Sequence, residues 1–209
     1  MTTRASAVLG IAPHSGWAAA VLLAGTPAAP RVVLRLRLEL ADEALPGSRQ
    51  PYHALEGLPL PEAQRRLATF SASAEELAHR SLRELTREAL AVGVMPRAAG
   101  ILESAGRAGA TFAATLASHA LIHTADGNHF RDALAKACGT IGLTVARIAN
   151  RELTARASAA LGRSPEELNT GIKQLGRQMG SPWGADQKSA ALLAWLLLAP
   201  QESRTSGAG

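Results

Sequence analysis

Histidines 119 and 123 stand four residues apart in "HALIH", a spacing that places two imidazoles on one helical face, and His129 follows six residues later. Neutral imidazole nitrogens suit zinc, which makes the three a candidate ligand set. The stretch lacks the glutamate of the H-E-x-x-H protease motif, and its bland reading is a set of packing or capping histidines. "GRAGAT", 106–111, offers different chemistry: a glycine-rich turn before a helix can cradle a phosphate on backbone amides, and Arg107 stands beside it. The turn is neither a Walker motif nor a Gly-x-Gly-x-x-Gly motif, so a softened strand-to-helix connection is the ordinary explanation. A third stretch, "GIAPHSGW", looks like a strand running into a tight turn that carries His14. A glycine-flanked strand end of this kind often holds an acid at position 12, where this chain has Ala12.

These residues need elements to position them. Residues 7–12 and 17–23 are apolar, with Gly16 in the turn between them. In "RVVLRLRLEL", Val33, Leu34, Leu36, Leu38 and Leu40 partly alternate with Arg35, Arg37 and Glu39. The pattern predicts a three-stranded antiparallel meander whose last strand has one wet face. Residues 41–61, dense in proline and glycine, read as a long loop. Ser73, with Glu76 three residues on, reads as the cap of a helix that places Leu77, Leu82, Leu85, Ala89 and Val92 on one face. Residues 95–104 read as a strand ending in Ile101, Leu102 and Glu103. A helical region opens at Thr111, is broken or kinked at "TADGN", 124–128, and resumes over 129–142 with Gly142 as its stop. Val145 and Ile148 mark a further strand, and a helix runs from near Arg151 to Leu161. Ser164, Pro165 and Glu167 open the next helix with N-cap, N1 and capping-box residues, and a last helix covers 185–198. This last helix is apolar almost all round, which predicts deep burial or a subunit interface. The order β-β-β-α-β-α-β-α-α predicts a mixed sheet covered by helices on both sides.

Composition bounds the function classes. With 209 residues, the chain is long enough for one sizeable core, read as a single domain over 1–200 followed by a disordered tail, 201–209. It is 47% hydrophobic and 19% charged, with a formal charge of +5, which permits an anionic partner such as nucleic acid without demanding one. The arginines are scattered, with no basic run. Cys138, the single cysteine, cannot form an internal disulfide and reads as a buried structural thiol in a reducing compartment. The start of the chain has no signal-peptide pattern and "AALLAWLLLA" is too short to span a bilayer, so the expected location is cytoplasmic. Only 3% of residues are aromatic, which weighs against stacking-based recognition of single strands; Trp183 reads as a loop anchor and Trp195 as a core residue.

This order of elements, with "GIAPH", "ILES", "IANREL" and "GADQKSAALLAWLLL" in place, resembles the ribonuclease H-like superfamily and, within it, the Holliday-junction resolvase (RuvC-type) branch. The likeness covers about residues 8–198. It implies an α/β fold, a ribonuclease H-like mixed five-stranded sheet (β-β-β-α-β-α-β-α) with helices on both faces. The family's first strand ends in a motif like "GIDPG", its fourth strand carries a glutamate, and its last helix opens with acids in a D-x-x-D-A pattern. Gly10, Ile11, Pro13, Glu103 and Asp186 fit those places. Ala12 replaces the first aspartate, His14 replaces a glycine, and Lys188 and Ser189 stand where the second acid of the last helix is sought.

The departures bear on metal chemistry. Nucleases of this fold hold two divalent ions on carboxylates, and the first-strand aspartate bridges them; hard cations need oxygen ligands, which an alanine methyl does not offer. The resemblance therefore implies a degenerate acidic metal site. Glu103 and Asp186 are left as the candidate ligands of one weakly bound Mg²⁺ or Mn²⁺ completed by water, with His14 as a nitrogen ligand or general base. Arg107 and Lys188 are the expected phosphate contacts on structured DNA or RNA, and the family suggests a homodimer. Ala12 alone would fit deliberate inactivation, but His14 and Lys188 depart as well, so natural degeneration is the simpler account. The resulting expectation is a nucleic-acid-associated protein with absent or strongly reduced nuclease activity. An active metal-dependent endonuclease with altered ligands, and a non-enzymatic partner-binding or structural protein on the same fold, are the alternatives.

Overall fold

The computed structural model describes residues 4–104 and 111–200. Three antiparallel strands, β1 (Ala5–His14), β2 (Trp17–Gly25) and β3 (Pro30–Glu39), form the expected meander. Two strands, β4 (Val94–Glu103) and β5 (Thr144–Ala149), add parallel to β1 and to each other, giving the order β3-β2-β1-β4-β5. Their connections run through α1 (Leu60–Ala91) and through α2 (Phe112–Leu116) with α3 (His119–Thr140). Beyond β5 come α4 (Leu153–Leu161), α5 (Pro165–Met179) and α6 (Ala185–Leu198).

The central strands β1 and β2 have two buried faces, as their near-continuous apolar runs require. Along β2, Ala18, Ala20, Leu22 and Ala24 pack into one core with α1 and α3, while Ala19, Val21 and Leu23 pack into another with α4, α5 and α6. The mixed sheet thus carries helices on both faces. α6 is the buried centre of its layer. It comes so close to β1 that a Cβ built on Gly10 would lie 1.9 Å from the Ala190 carbonyl oxygen, and one on Gly100 would lie 2.7 Å from Leu193 Cγ. Glycine at both positions is what lets this helix sit flat on the sheet.

Local rules hold well at α5. Ser164 Oγ accepts from the Glu167 backbone N–H, and the Glu167 carboxylate accepts from the Ser164 N–H, completing the predicted capping box. Trp183 anchors its loop by donating to the Ile172 carbonyl, and Trp195 is buried and donates to the Pro27 carbonyl. Cys138 is buried.

Three expectations are corrected. The helix assigned to a Ser73 cap starts at Leu60, after Pro59, and Ser73 lies in its middle; Pro61 occupies a first-turn position, where its missing N–H costs nothing, so it opens the helix instead of belonging to the loop. Val92 lies just past the end of that helix and is 60% exposed, off the buried face. The helix expected to break at 124–128 runs unbroken from His119 to Thr140, and the interruption falls at Ala117 and Ser118. Tertiary contacts decide this. Asp126 is buried with both carboxylate oxygens partnered, and Gly127 leaves room for Arg131, whose Nη1 would be 2.7 Å from a Cβ there. The phosphate-cradle reading of 106–111, with Arg107, and the tail 201–209 lie outside the described residues; Thr111 itself caps α2 by accepting from the Ala114 N–H.

Candidate functional site

Because β1 and β4 are parallel neighbours, their C-terminal ends lie at the same edge of the sheet, and α6 begins there as well. The loop into α6 is held from β3. Arg35 Nη1 donates to the carbonyls of Gly180 (2.8 Å) and Pro182 (2.5 Å), and Gln187 Oε1 accepts from the Gly184 N–H at the start of the helix. These contacts fix the first turn of α6 and thereby Asp186.

Ala12 is 5% exposed and belongs to the core on the α6 face. Two residues further along β1, His14 points to the same side, since strand residues two apart share a face. Its Nε2 lies 2.9 Å from Asp186 Oδ1. The imidazole also stacks on Trp17, with ring centroids 4.4 Å apart and planes 9° apart, and the Arg37 guanidinium lies over the other aromatic partner's ring at 4.0 Å from the Trp17 centroid. Glu39 in turn accepts from Arg37 Nε at 2.5 Å. The end of the meander therefore carries a partly exposed row of imidazole, indole and guanidinium beside Asp186.

Glu103 turns the other way. Strand alternation puts Ile101 in the α1–α3 core and Leu102 in the α6 core, and Glu103 follows Ile101. There it pairs with Arg147 of β5, whose Nη2 also donates to Asp132 Oδ1 of α3 at 2.8 Å. Burial pulls the Arg147 guanidinium down, and the hydrogen bonds to Glu103 and Asp132 more than reverse this, leaving it above its ordinary value. Arg131 is buried just behind and donates from Nε to the Leu102 carbonyl. Burial pulls the Arg131 guanidinium down, opposed by the charge of Glu103.

Among the predicted residues, the structure thus joins His14 to Asp186 and gives Glu103 a separate cationic partner. The three do not form a group with mutually adjacent ligand atoms among the described residues. Lys188 is half-buried in the first turns of α6, beside Asn150, Thr154 and Asn169 in a cleft between α4, α5 and α6. The donor set does not fit a bridged pair of hard cations. Position 12 has no oxygen to offer, and each remaining carboxylate already faces a nitrogen cation or imidazole.

The zinc expectation is changed in its membership. His119 and His123 stand together at the start of α3, but their third neighbour is His53 of the 3-10 turn His53–Leu55, with ligand atoms all within 4.8 Å of one another. His129 falls on another side of the helix, since six residues turn an α-helix by about 240° away from His123. It packs edge-on against Tyr52 and Phe130 instead. The i, i+4 spacing marked two members of the cluster; nothing local marked His53, which reaches them from the long loop. Arg147, Asp132 and Arg131 were equally invisible, because the β4–β5 register brings Arg147 to Glu103 and the packing of α3 against the sheet brings Asp132 and Arg131.

No protein-family model matches the chain, and no curated protein matches it. Solved structures do. The yeast mitochondrial Holliday junction resolvase Ydc2 matches over 95% of this chain and 80% of its own, at 14% identity and a TM-score of 0.51. The chain has a RuvC-like ribonuclease H fold. Thermus thermophilus RuvC matches over 91% of this chain and 92% of its own, at 14% identity and a TM-score of 0.49. The same protein in complex with Holliday junction substrate matches at 13% identity, with a TM-score of 0.49 and 91% of each chain covered. The strand order β3-β2-β1-β4-β5, with α6 starting beside His14, places position 12, Glu103 and Asp186 at one end of the sheet. No described helix is long and apolar enough to cross a membrane.

Proposed function

We propose that this RuvC-like chain is a nucleic-acid-associated protein whose phosphodiester cleavage is absent or strongly reduced. The observation that carries the reading is Ala12, a buried methyl at the first-strand position, with Asp186 held by His14 and Glu103 held by Arg147. A two-ion mechanism needs carboxylates that pull one cation towards the attacking water and another towards the leaving oxygen. Here an ion at Asp186 would displace His14 or share the carboxylate with it, and one at Glu103 would compete with a guanidinium that makes a charge-assisted hydrogen bond. Any Mg²⁺ or Mn²⁺ held by one of these acids would keep a mostly aqueous shell and bind weakly.

The nucleic-acid half of the proposal rests on charge and on the exposed row beside Asp186. Arg65, Arg66, Arg80, Arg83 and Arg87 are exposed along α1, Arg97 is exposed on β4, and the formal charge is +5. His14 over Trp17 with Arg37 gives flat cationic and aromatic surface of the kind that bases stack on. Lys188, close to Asp186, and Arg107 are the further cations assigned to phosphate. The solved relative Ydc2 is named for Holliday junctions, so four-way junction DNA is the first probe. A symmetric junction would engage two copies, and a homodimer and a cytoplasmic location complete the proposal.

The test is an anisotropy titration of labelled four-way junction, duplex and single strand at rising salt, with cleavage followed in Mg²⁺ and Mn²⁺. Binding is expected to weaken by about 0.9 logarithmic units per tenfold salt for each duplex phosphate contact, with the strands left intact. Absence of affinity for all three probes at low salt would remove the nucleic-acid half and leave a partner-binding protein on the same fold.

A further inference from the structure

We propose that His53, His119 and His123 form a zinc site with one coordination position open to solvent, remote in function from the acids at the end of the sheet. The geometry has the arrangement of a zinc shell in two layers. The Nε2 atoms of His119 and His123 lie 3.1 Å apart. Two nitrogens on one tetrahedral zinc, each about 2.0–2.1 Å from it, stand roughly 3.3 Å apart, so little movement is needed to receive the ion. His53 completes the trio, with ring centroids 5.3 Å from His119 and 4.5 Å from His123.

The outer layer settles which nitrogens face the ion. His53 Nδ1 meets Asp126 Oδ2 at 2.5 Å, and Asp126 Oδ1 accepts from the Tyr52 backbone N–H at 2.7 Å. The Asp126 side chain is 5% exposed, a buried carboxylate committed to aiming one imidazole. His119 Nδ1 lies 3.6 Å from Glu56 Oε1. With the proton held on His53 Nδ1 by Asp126, the Nε2 lone pair of His53 is left free for the ion, while Glu56 stands near His119 without a hydrogen bond to it. Carboxylates behind zinc-binding imidazoles do this work in metal sites generally, fixing the tautomer and raising ligand basicity. Three neutral nitrogens favour zinc among the abundant divalent ions over Mg²⁺ or Ca²⁺, which require oxygen. The fourth position would hold water, since His119 and His123 are exposed. Such a site would fasten the long loop to the start of α3, beside the small core that Leu55, Ala63 and Phe70 form.

The experiment uses the full chain without a histidine tag, stripped with a chelator and titrated with zinc chloride alone by calorimetry, with X-ray absorption on the loaded protein. One zinc per chain is expected, with three nitrogen neighbours at about 2.0–2.1 Å. His123→Ala, an exposed position whose variant should keep the wild-type circular dichroism, is expected to lose more than 100-fold in affinity, beyond the roughly 10–100-fold effect of Asp126→Asn in the outer layer. His129→Ala is expected to leave affinity unchanged. No stoichiometric binding, or equal affinity in the wild type and His123→Ala, overturns the proposal. No nucleic acid is present, so failure here leaves the reading of Ala12, Glu103 and Asp186 standing, and the reverse also holds.

Discussion

Two side chains on the inner side of α3 take their chemistry from burial. Cys138 is fully buried and its thiol is pushed up to about 12, so it stays protonated at any pH at which the protein is handled. The native chain is expected to react slowly with a thiol-selective chromogenic reagent at pH 8 and to give one equivalent at once in denaturant; fast native labelling would place Cys138 at a surface. Burial also pulls the His129 imidazole below its ordinary value, opposed by the charge of Asp126. The fold therefore prefers the neutral ring. Stability from this preference is complete above the unfolded-state pKa of about 6.5 and is lost as pH falls from there through the lower folded-state value. The urea midpoint should drop between pH 7 and pH 5.5, and should drop less in His129→Gln; equal drops would show that other groups carry the dependence. At this scale the sequence displayed Ala12, His14, Glu103 and Asp186 by type and place. It could not display that His14 reaches Asp186 or that Arg147 reaches Glu103, because those pairings depend on strand register and on which face a side chain takes.

The element that matters most for the site is α6, whose first turn carries Asp186 and whose middle lies against β1. Its contact with the sheet tolerates no added atom at Gly10, where a Cβ would overlap the Ala190 carbonyl. Gly10→Ala is expected to cost about 1–3 kcal/mol or more through overpacking, read as a lower urea midpoint with an unchanged slope. A neutral result would mean that α6 sits further from the strand than described. Elements governed by local rules were legible from residue types alone: the capping box of α5 and the alternation of β3 both form as read. α1 and α3 were misread at their ends and middle. Pro61 is as much a helix opener as a loop residue, and Asp126 and Gly127 are turn-formers in isolation. Their place inside α3 follows from Tyr52 and His53, which no window around them contains, and from Arg131, four residues past Gly127, which is held by the distant Leu102 carbonyl.

For the molecule as a whole, the order of strands and helices predicted a mixed sheet, since a meander followed by parallel crossovers leaves few arrangements, and the RuvC-type resemblance needed "GIAPH", "ILES" and "GADQKSAALLAWLLL" in place along that order. What such an order brings together is an edge of the sheet, and the chemistry at that edge is a matter of individual atoms. The missing oxygen at Ala12 predicts binding without cleavage. The most direct measurement is Mn²⁺-dependent cleavage of an end-labelled four-way junction by the wild-type chain, followed for hours beside Glu103→Gln at salt low enough for binding. The account predicts bound and intact junction with both proteins. Junction cut by the wild type and spared by Glu103→Gln would contradict it.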